Sequence, residues 1–211
     1  GDIAGSISKR PTSDAMLRML EEKGDEIFAD ADSIVIEIDL DKELIKTVFR
    51  YAEKYHKKVY AVVANMSIAS QRRDFLQSID CFVCNAQEAG ILFVCDFSGL
   101  TPEELCEELS RRVVSARIPS MVVTMGSRGA VYADMNGDKG VYPARKVKVR
   151  DTTGAGDAFC AGVAIGLTYG KTMREAVEIG TRLASSVITV SENVCPRFLP
   201  QELGLDVKIE E

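Results

Sequence analysis

An α/β fold built on a mainly parallel sheet covered on both faces is predicted by three features of the sequence. Short apolar runs alternate with segments of helical spacing, helix start and stop signals separate them, and 211 residues at 46% hydrophobic content are enough to close one core. The apolar runs are four to six residues long, the length of a buried strand, and the intervening segments are long enough for the crossover helices that parallel strands require.

Taken in order, Asp2 to Ser8 read as a short strand or an arm, and Pro11 to Gly24 as a helix opened by Pro-Thr-Ser-Asp and closed by Gly24. SIVIEI at 33–38 is a strand, Leu44 to Tyr55 carries helical spacing, and VYAVV at 59–63 is a second strand. A helix near Ser70 to Gln77 leads to a strand at Cys81 to Cys84, and another helix runs from Ala86 to about Val94. Thr101 and Pro102 form a strong helix start, with threonine as N-cap and proline in the first helical position, and that helix reaches about Ala116.

Strand MVVT at 121–124 follows, and then GAVYA and GVYPA read as short antiparallel strands about the turn Asn136-Gly137. Lys146 to Arg150 is strand-like. Two helices complete the core, from about Ala155 to Tyr169 and from Met173 to about Val190, parted by Gly170 and capped by Thr172. In such sheets ligands bind beyond the carboxyl ends of the strands, so residues just after strands carry the functional reading.

A net charge of −6 argues against a nucleic-acid backbone or an anionic membrane as the main partner, yet leaves room for a small anionic ligand held by backbone dipoles. No apolar run approaches the ~20 residues of a membrane span, and the start GDIAGSISKRP lacks a secretory core; a cytoplasmic location is expected. The six cysteines are too scattered for a disulfide framework and read as reduced core thiols. Cys81 and Cys84 form a C-x-x-C, but on a strand positions three apart face opposite sides. His56 is the lone histidine and sits at an apparent helix end, so the chemistry must run without a histidine base.

The most informative run is DTTGAGDAF at 151–159, which passes from a strand-like stretch into a helix of small apolar residues. The amides of Gly154, Ala155 and Gly156 would stand unblocked at the N-terminus of that buried helix, an anion hole for phosphoryl oxygens. Asp157 lies beside them, where its carboxylate could accept the proton of an attacking hydroxyl; the plainer alternative is that it complements the helix dipole.

DTTGAGDAF closely resembles the C-terminal signature of the PfkB, or ribokinase-like, carbohydrate kinases. The resemblance implies a ribokinase-like three-layer α/β/α sandwich with a mainly parallel central sheet. It also implies that Asp157 is the catalytic base and that Gly154, Ala155 and Gly156 form the anion hole. Asp151 and Thr153 are then candidates to help hold a monovalent cation such as K+.

Two weaker motifs fall in the family's order. Asn85 to Glu88 follows a strand and opens a helix, matching N-x-x-E, an element that helps hold Mg2+ and phosphate; the same two residues also fit a capping box, and both roles can coexist. Thr124 to Gly129 resembles the T-x-G-x-x-G nucleotide turn, which assigns Thr124, Gly126 and Gly129 to ATP contacts. Arg128 in that turn reads either as a phosphate partner or as a solvated loop arginine. Leu183 to Pro196 resembles the wall of the adenine pocket, with Asn193 as a contact.

The resemblance begins partway into the family's pattern. It implies that residues 1–10 are a residual lid strand or arm, that 11–211 are the nucleotide-binding core domain, and that the lid and first core strands are largely missing. The implied activity is transfer of the γ-phosphoryl of Mg-ATP to a hydroxymethyl group of a sugar or nucleoside, with a homodimer compatible and this chain an incomplete fragment. SIVIEIDL, AVVANMS and CFVCNAQEAGIL, together with SENVCP, look most like pseudouridine-kinase-type members, with ribokinase or fructokinase-like specificity as the nearest competitor. The rival reading is a nucleotide-binding module without catalysis. A dinucleotide oxidoreductase is disfavoured, because no G-x-G-x-x-G follows an early strand.

Overall fold

The computed structural model describes residues 12–191, 194–195 and 198–205. The expected arm at 2–8 and Asn193 lie outside them. The described residues group into two compact units, residues up to 31 with 40–57, and residues 32–39 with 58 onward.

The first unit is a helix pair, α1 (Asp14–Asp30) and α2 (Lys42–Lys54). Gly24 does not end α1 as its sequence suggested. It sits buried inside the helix, where an added Cβ would fall 2.4 Å from the Tyr51 ring of α2. That ring stacks on Phe28 at 4.9 Å, and its hydroxyl donates to Leu20 O at 2.8 Å. The glycine is thus retained for close packing, which outweighs its helix penalty. His56 follows α2 with φ of 53° and is exposed, a surface residue as expected.

The second unit holds, among the described residues, a six-stranded sheet in the order β1 (Ser33–Glu37), β2 (Lys58–Val62), β3 (Cys81–Asn85), β4 (Ser120–Thr124), β5 (Ala130–Asp134) and β6 (Lys139–Tyr142). Strands β1 to β4 are parallel; β5 and β6 are antiparallel additions. Their hairpin turns at the predicted place. Gly137 takes φ of 95°, and Asp134 Oδ1 accepts from the amides of Asn136 and Asp138, each at 2.8 Å.

Alternation along these strands separates two apolar layers. Tyr60, Cys81, Val83, Val122 and Tyr132 pack with Phe159, Cys160 and Val163 of α7 (Ala155–Thr168) and with Ala176 and Val177 of α8 (Met173–Val187). Residues of the opposite parity, among them Phe82, Met121, Val123 and Val131, are buried on the other face, where α5 (Ala86–Phe93) and α6 (Pro102–Ala116) contact β3, β4 and β5. Cys81 and Cys84 are both buried and free, with odd and even parity as predicted, and burial pushes the Cys81 thiol up to about 12.

Two segments depart from expectation. The helix expected near Ser70 to Gln77 is two short turns, α3 (Met66–Ala69) and α4 (Arg73–Leu76). Lys146 to Arg150 forms no strand. Its residues are all exposed, and beyond the Arg150 amide, which donates to Ile188 O at 2.8 Å, it lacks the ladder partner that an alternating pattern needs. At Gly162 and Gly166 the small residues of α7 admit α8 closely, since added Cβ atoms would lie 2.6 Å from Gly180 Cα and 2.7 Å from Ala176 Cα.

Candidate active site at the carboxyl edge of the sheet

Two of the three motifs are neighbours by strand register. Asn85 closes β3, Thr124 closes β4, and the two residues are paired across the parallel ladder. The N-x-x-E element and the T-x-G-x-x-G turn therefore leave the sheet side by side at its carboxyl edge.

Asn85 and Glu88 form a full capping box: the Glu88 amide donates to Asn85 Oδ1 at 2.9 Å, and the Asn85 amide donates to Glu88 Oε2 at 2.7 Å. Glu88 is half-buried, and burial raises its carboxyl above the usual range, against the opposing pull of the Asn85 amide. The cap holds one carboxylate oxygen by its amide bond and leaves the other outside the box. Among the described residues no group of three His, Cys, Asp or Glu side chains gathers as a ready metal cage. Magnesium fits such a site, because it keeps several waters and takes only one or two protein carboxylates beside substrate phosphates.

The Thr124 turn is closed by backbone bonds. Met125 N donates to Gly129 O at 2.8 Å, and Gly129 N donates to Gly126 O at 3.1 Å. Both glycines need left-handed backbone, with φ of 59° at Gly126 and 98° at Gly129. At Gly129 an added Cβ would lie 2.1 Å from Tyr142 O, whereas at Gly126 it would meet nothing within 4 Å. One side of the turn is clamped against β6 and the other is open.

The third motif starts α7. Thr168, at the end of that helix, shares a 2.7 Å hydrogen bond with Ser33, the first residue of β1. The helix therefore ends at the amino side of the sheet, and its start, ~20 Å back along its axis, lies toward the carboxyl side. Gly154 is the N-cap, with φ of 79° and, among the described residues, no side-chain cap. The Ala155 amide is not free as expected: it folds back to Thr152 O at 3.2 Å. Among the described residues, the amides of Gly154, Gly156 and Asp157 have no acceptor. Gly156 is exposed, and an added Cβ there would meet nothing within 4 Å.

Asp157 is exposed in this same turn. Asp151 and Thr153 close on each other, with Thr153 N and Oγ1 donating to Asp151 Oδ1 at 2.9 and 2.8 Å. Those bonds, the amide first, hold the Asp151 carboxyl below its usual range. The pair builds the turn into α7. Cys160, five residues beyond Ala155, is buried and its thiol is pushed up to about 12 by burial. It is a packing residue.

One residue of this edge was not singled out by sequence reading. Asp39 follows β1, is 3% exposed, and accepts a hydrogen bond from Ala64 N at 3.3 Å, tying the segment after β2 to the end of β1. The available signal was an acid directly closing the apolar run 33–38.

Fold and edge together define an α/β protein whose polar motifs gather where open parallel sheets bind ligands. The profile of the pfkB family carbohydrate kinases matches residues 7–195, and the chain belongs to that family. It is 31% identical to the guanosine-inosine kinase of Exiguobacterium acetylicum over 194 residues, which is 92% of this chain and 63% of that protein. To the ribokinase of Schizosaccharomyces pombe it is 26% identical, over 82% of this chain and 53% of the relative. The chain thus spans between about half and two-thirds of the length of these curated relatives. Among solved structures, Arabidopsis thaliana ribokinase complexed with ribose and ATP superposes with a TM-score of 0.70 at 22% identity, covering 81% of this chain and 54% of that one. Adenosine kinase from Sinorhizobium meliloti gives 0.67 at 22% identity, covering 81% and 53%. Among the described residues no helix is long and apolar enough to cross a membrane.

Proposed function

We propose that this chain is the nucleotide-binding part of an ATP-dependent phosphotransferase that, in its complete form, moves the γ-phosphoryl of ATP to a hydroxymethyl group of a sugar or nucleoside. The observation that carries this is the first turn of α7. A glycine there costs helix stability, and the described residues supply no steric reason for Gly156, because none of their atoms lies within 4 Å of the place a Cβ would fill. An anion seated on the free amides of Gly156 and Asp157 accounts for the glycine.

In this reading the α7 amides bind and orient the phosphoryl oxygens, and the turn at Thr124, Gly126 and Gly129 holds the nucleotide beside them. Asp157, in the same turn, accepts the proton of the acceptor hydroxyl as the new P–O bond forms and the ADP oxygen leaves. Glu88, held by its cap on Asn85, would hold magnesium through water; the ion supplies charge neutralisation on the phosphate oxygens. Asp151 and Thr153, bonded to each other, shape the turn that presents the α7 amides. A nucleoside acceptor is favoured by the likeness to the guanosine-inosine kinase.

The test is a panel of nucleosides and sugars, assayed for acceptor-dependent ADP formation with this chain and with a form extended at its N-terminus. Acceptor-stimulated turnover by either establishes the kinase and names its substrate. Mg-ATP binding with no turnover in a correctly folded extended form favours the non-catalytic module.

A further inference from the structure

We propose that Arg128 is a positioning residue of the nucleotide turn, fixing it by a bond to the carbonyl of Leu100 rather than by holding a phosphate. The proposal rests on the kinase reading above. Gly126 and Gly129 give the turn two permissive joints, and a segment with two such joints needs outside anchors to keep one shape. Gly129 has its anchor in the backbone of β6. At the Gly126 end there is open space, and the link out of the turn is the Arg128 guanidinium, whose Nη1 donates to Leu100 O at 2.7 Å.

Leu100 is itself well held. It directly precedes Thr101, whose capping box with Glu104 starts α6, and its amide donates to Phe97 O at 3.2 Å. Helix α6 is in turn fixed by Leu105, Leu109 and Val113, all fully buried. A cationic donor on a carbonyl makes a short, strong bond, and here it spans 28 residues of sequence between two loops of the unit. Arginine also suits phosphate through its two-pronged grip, and since Nε and Nη2 remain when Nη1 is on Leu100, the salt dependence of binding is what separates the two roles.

The experiment compares wild type, Arg128→Ala and Arg128→Lys by amide hydrogen exchange without ligand and by Mg-ATP calorimetry at several salt concentrations. For Arg128→Ala, exchange at 127–129 should quicken and Mg-ATP affinity should fall about tenfold, as expected for a lost charge-assisted bond. The slope of log Kd against log salt should not change. Lysine, a single donor able to reach a single carbonyl, should restore affinity to within about threefold. The melting temperature should fall by no more than about 5 °C, the size of a bond worth tenfold in affinity at an exposed residue; if Arg128→Ala does not fold, Arg128→Gln, equally neutral, carries the comparison. A slope that flattens by about one in Arg128→Ala marks a phosphate contact and overturns the proposal. Faster exchange with unchanged affinity overturns it as well. A wild type that binds no Mg-ATP defeats the kinase reading itself, and is recognised because no variant is needed to see it.

Discussion

Gly156 gives the residue scale its sharpest contrast between stability and function. In the free protein Gly156→Ala meets no atom within 4 Å and gains helix propensity, so it should stabilise the fold by about 0.5–1 kcal/mol. The methyl would occupy the space over the free amides, where the proposed phosphoryl group sits. Mg-ATP affinity should therefore fall while the urea midpoint rises, a pair of readouts that calorimetry and chemical denaturation measure on one sample. Gly129 is the opposite kind of glycine: its φ of 98° and its contact with Tyr142 O leave a side chain nowhere to go. Sequence alone gave both the same reading, because a motif letter does not say whether the missing Cβ makes room for a ligand or for the protein's own backbone.

At the scale of elements, the packing of α7 on α8 is set by glycines facing glycine and alanine. Gly162→Ala would place its methyl 2.6 Å from Gly180 Cα, a backbone atom that cannot rotate away. The helices must separate, and the overpacking should cost about 1–3 kcal/mol, read as a lowered denaturation midpoint with the helical circular dichroism retained. That α7 is a buried helix of small residues was legible from its composition. That its glycines face another helix was not, since spacing within one segment does not name the partner. The caps at Asn85, Thr101 and Thr172 were readable because a cap and its helix start are adjacent in sequence; the structure adds that all three are capping boxes. Lys146 to Arg150 shows the converse: alternation marks a segment able to pair, and whether it pairs depends on a neighbour far away in sequence. Gly24 was misread for the same reason, its partner Tyr51 being 27 residues further on.

The whole molecule should lose stability in alkali, and the sign follows from its buried thiols. Burial pushes Cys81 and Cys160 up to about 12 from an ordinary value of 9.0. Above pH 9 the unfolded chain sheds these protons while the folded chain still holds them. Their contribution is full below the unfolded value and is lost as pH rises toward the folded one. Tyr60, Tyr132 and Tyr142, also raised chiefly by burial, act in the same direction. The urea midpoint should fall between pH 8 and pH 10.5, and Cys81→Ala should flatten that fall. Neutral-pH function does not depend on these groups. In the proposed function that work falls to the carboxyl edge, where strand register joins Asn85 to Thr124 and the direction of α7 brings a third motif to the same side.

The most direct test of that site is acceptor-dependent ADP formation by the catalytically competent form, wild type against Asp157→Asn, with Mg-ATP affinity measured beside it. The account predicts that Asp157→Asn keeps the fold, binds Mg-ATP within a few-fold of wild type, and turns over about 10²–10⁴ times more slowly, the contribution of a positioned base. An Asp157→Asn protein that turns over at the wild-type rate would contradict it, leaving Asp157 as a helix-dipole partner and the phosphoryl chemistry to be sought elsewhere on the edge.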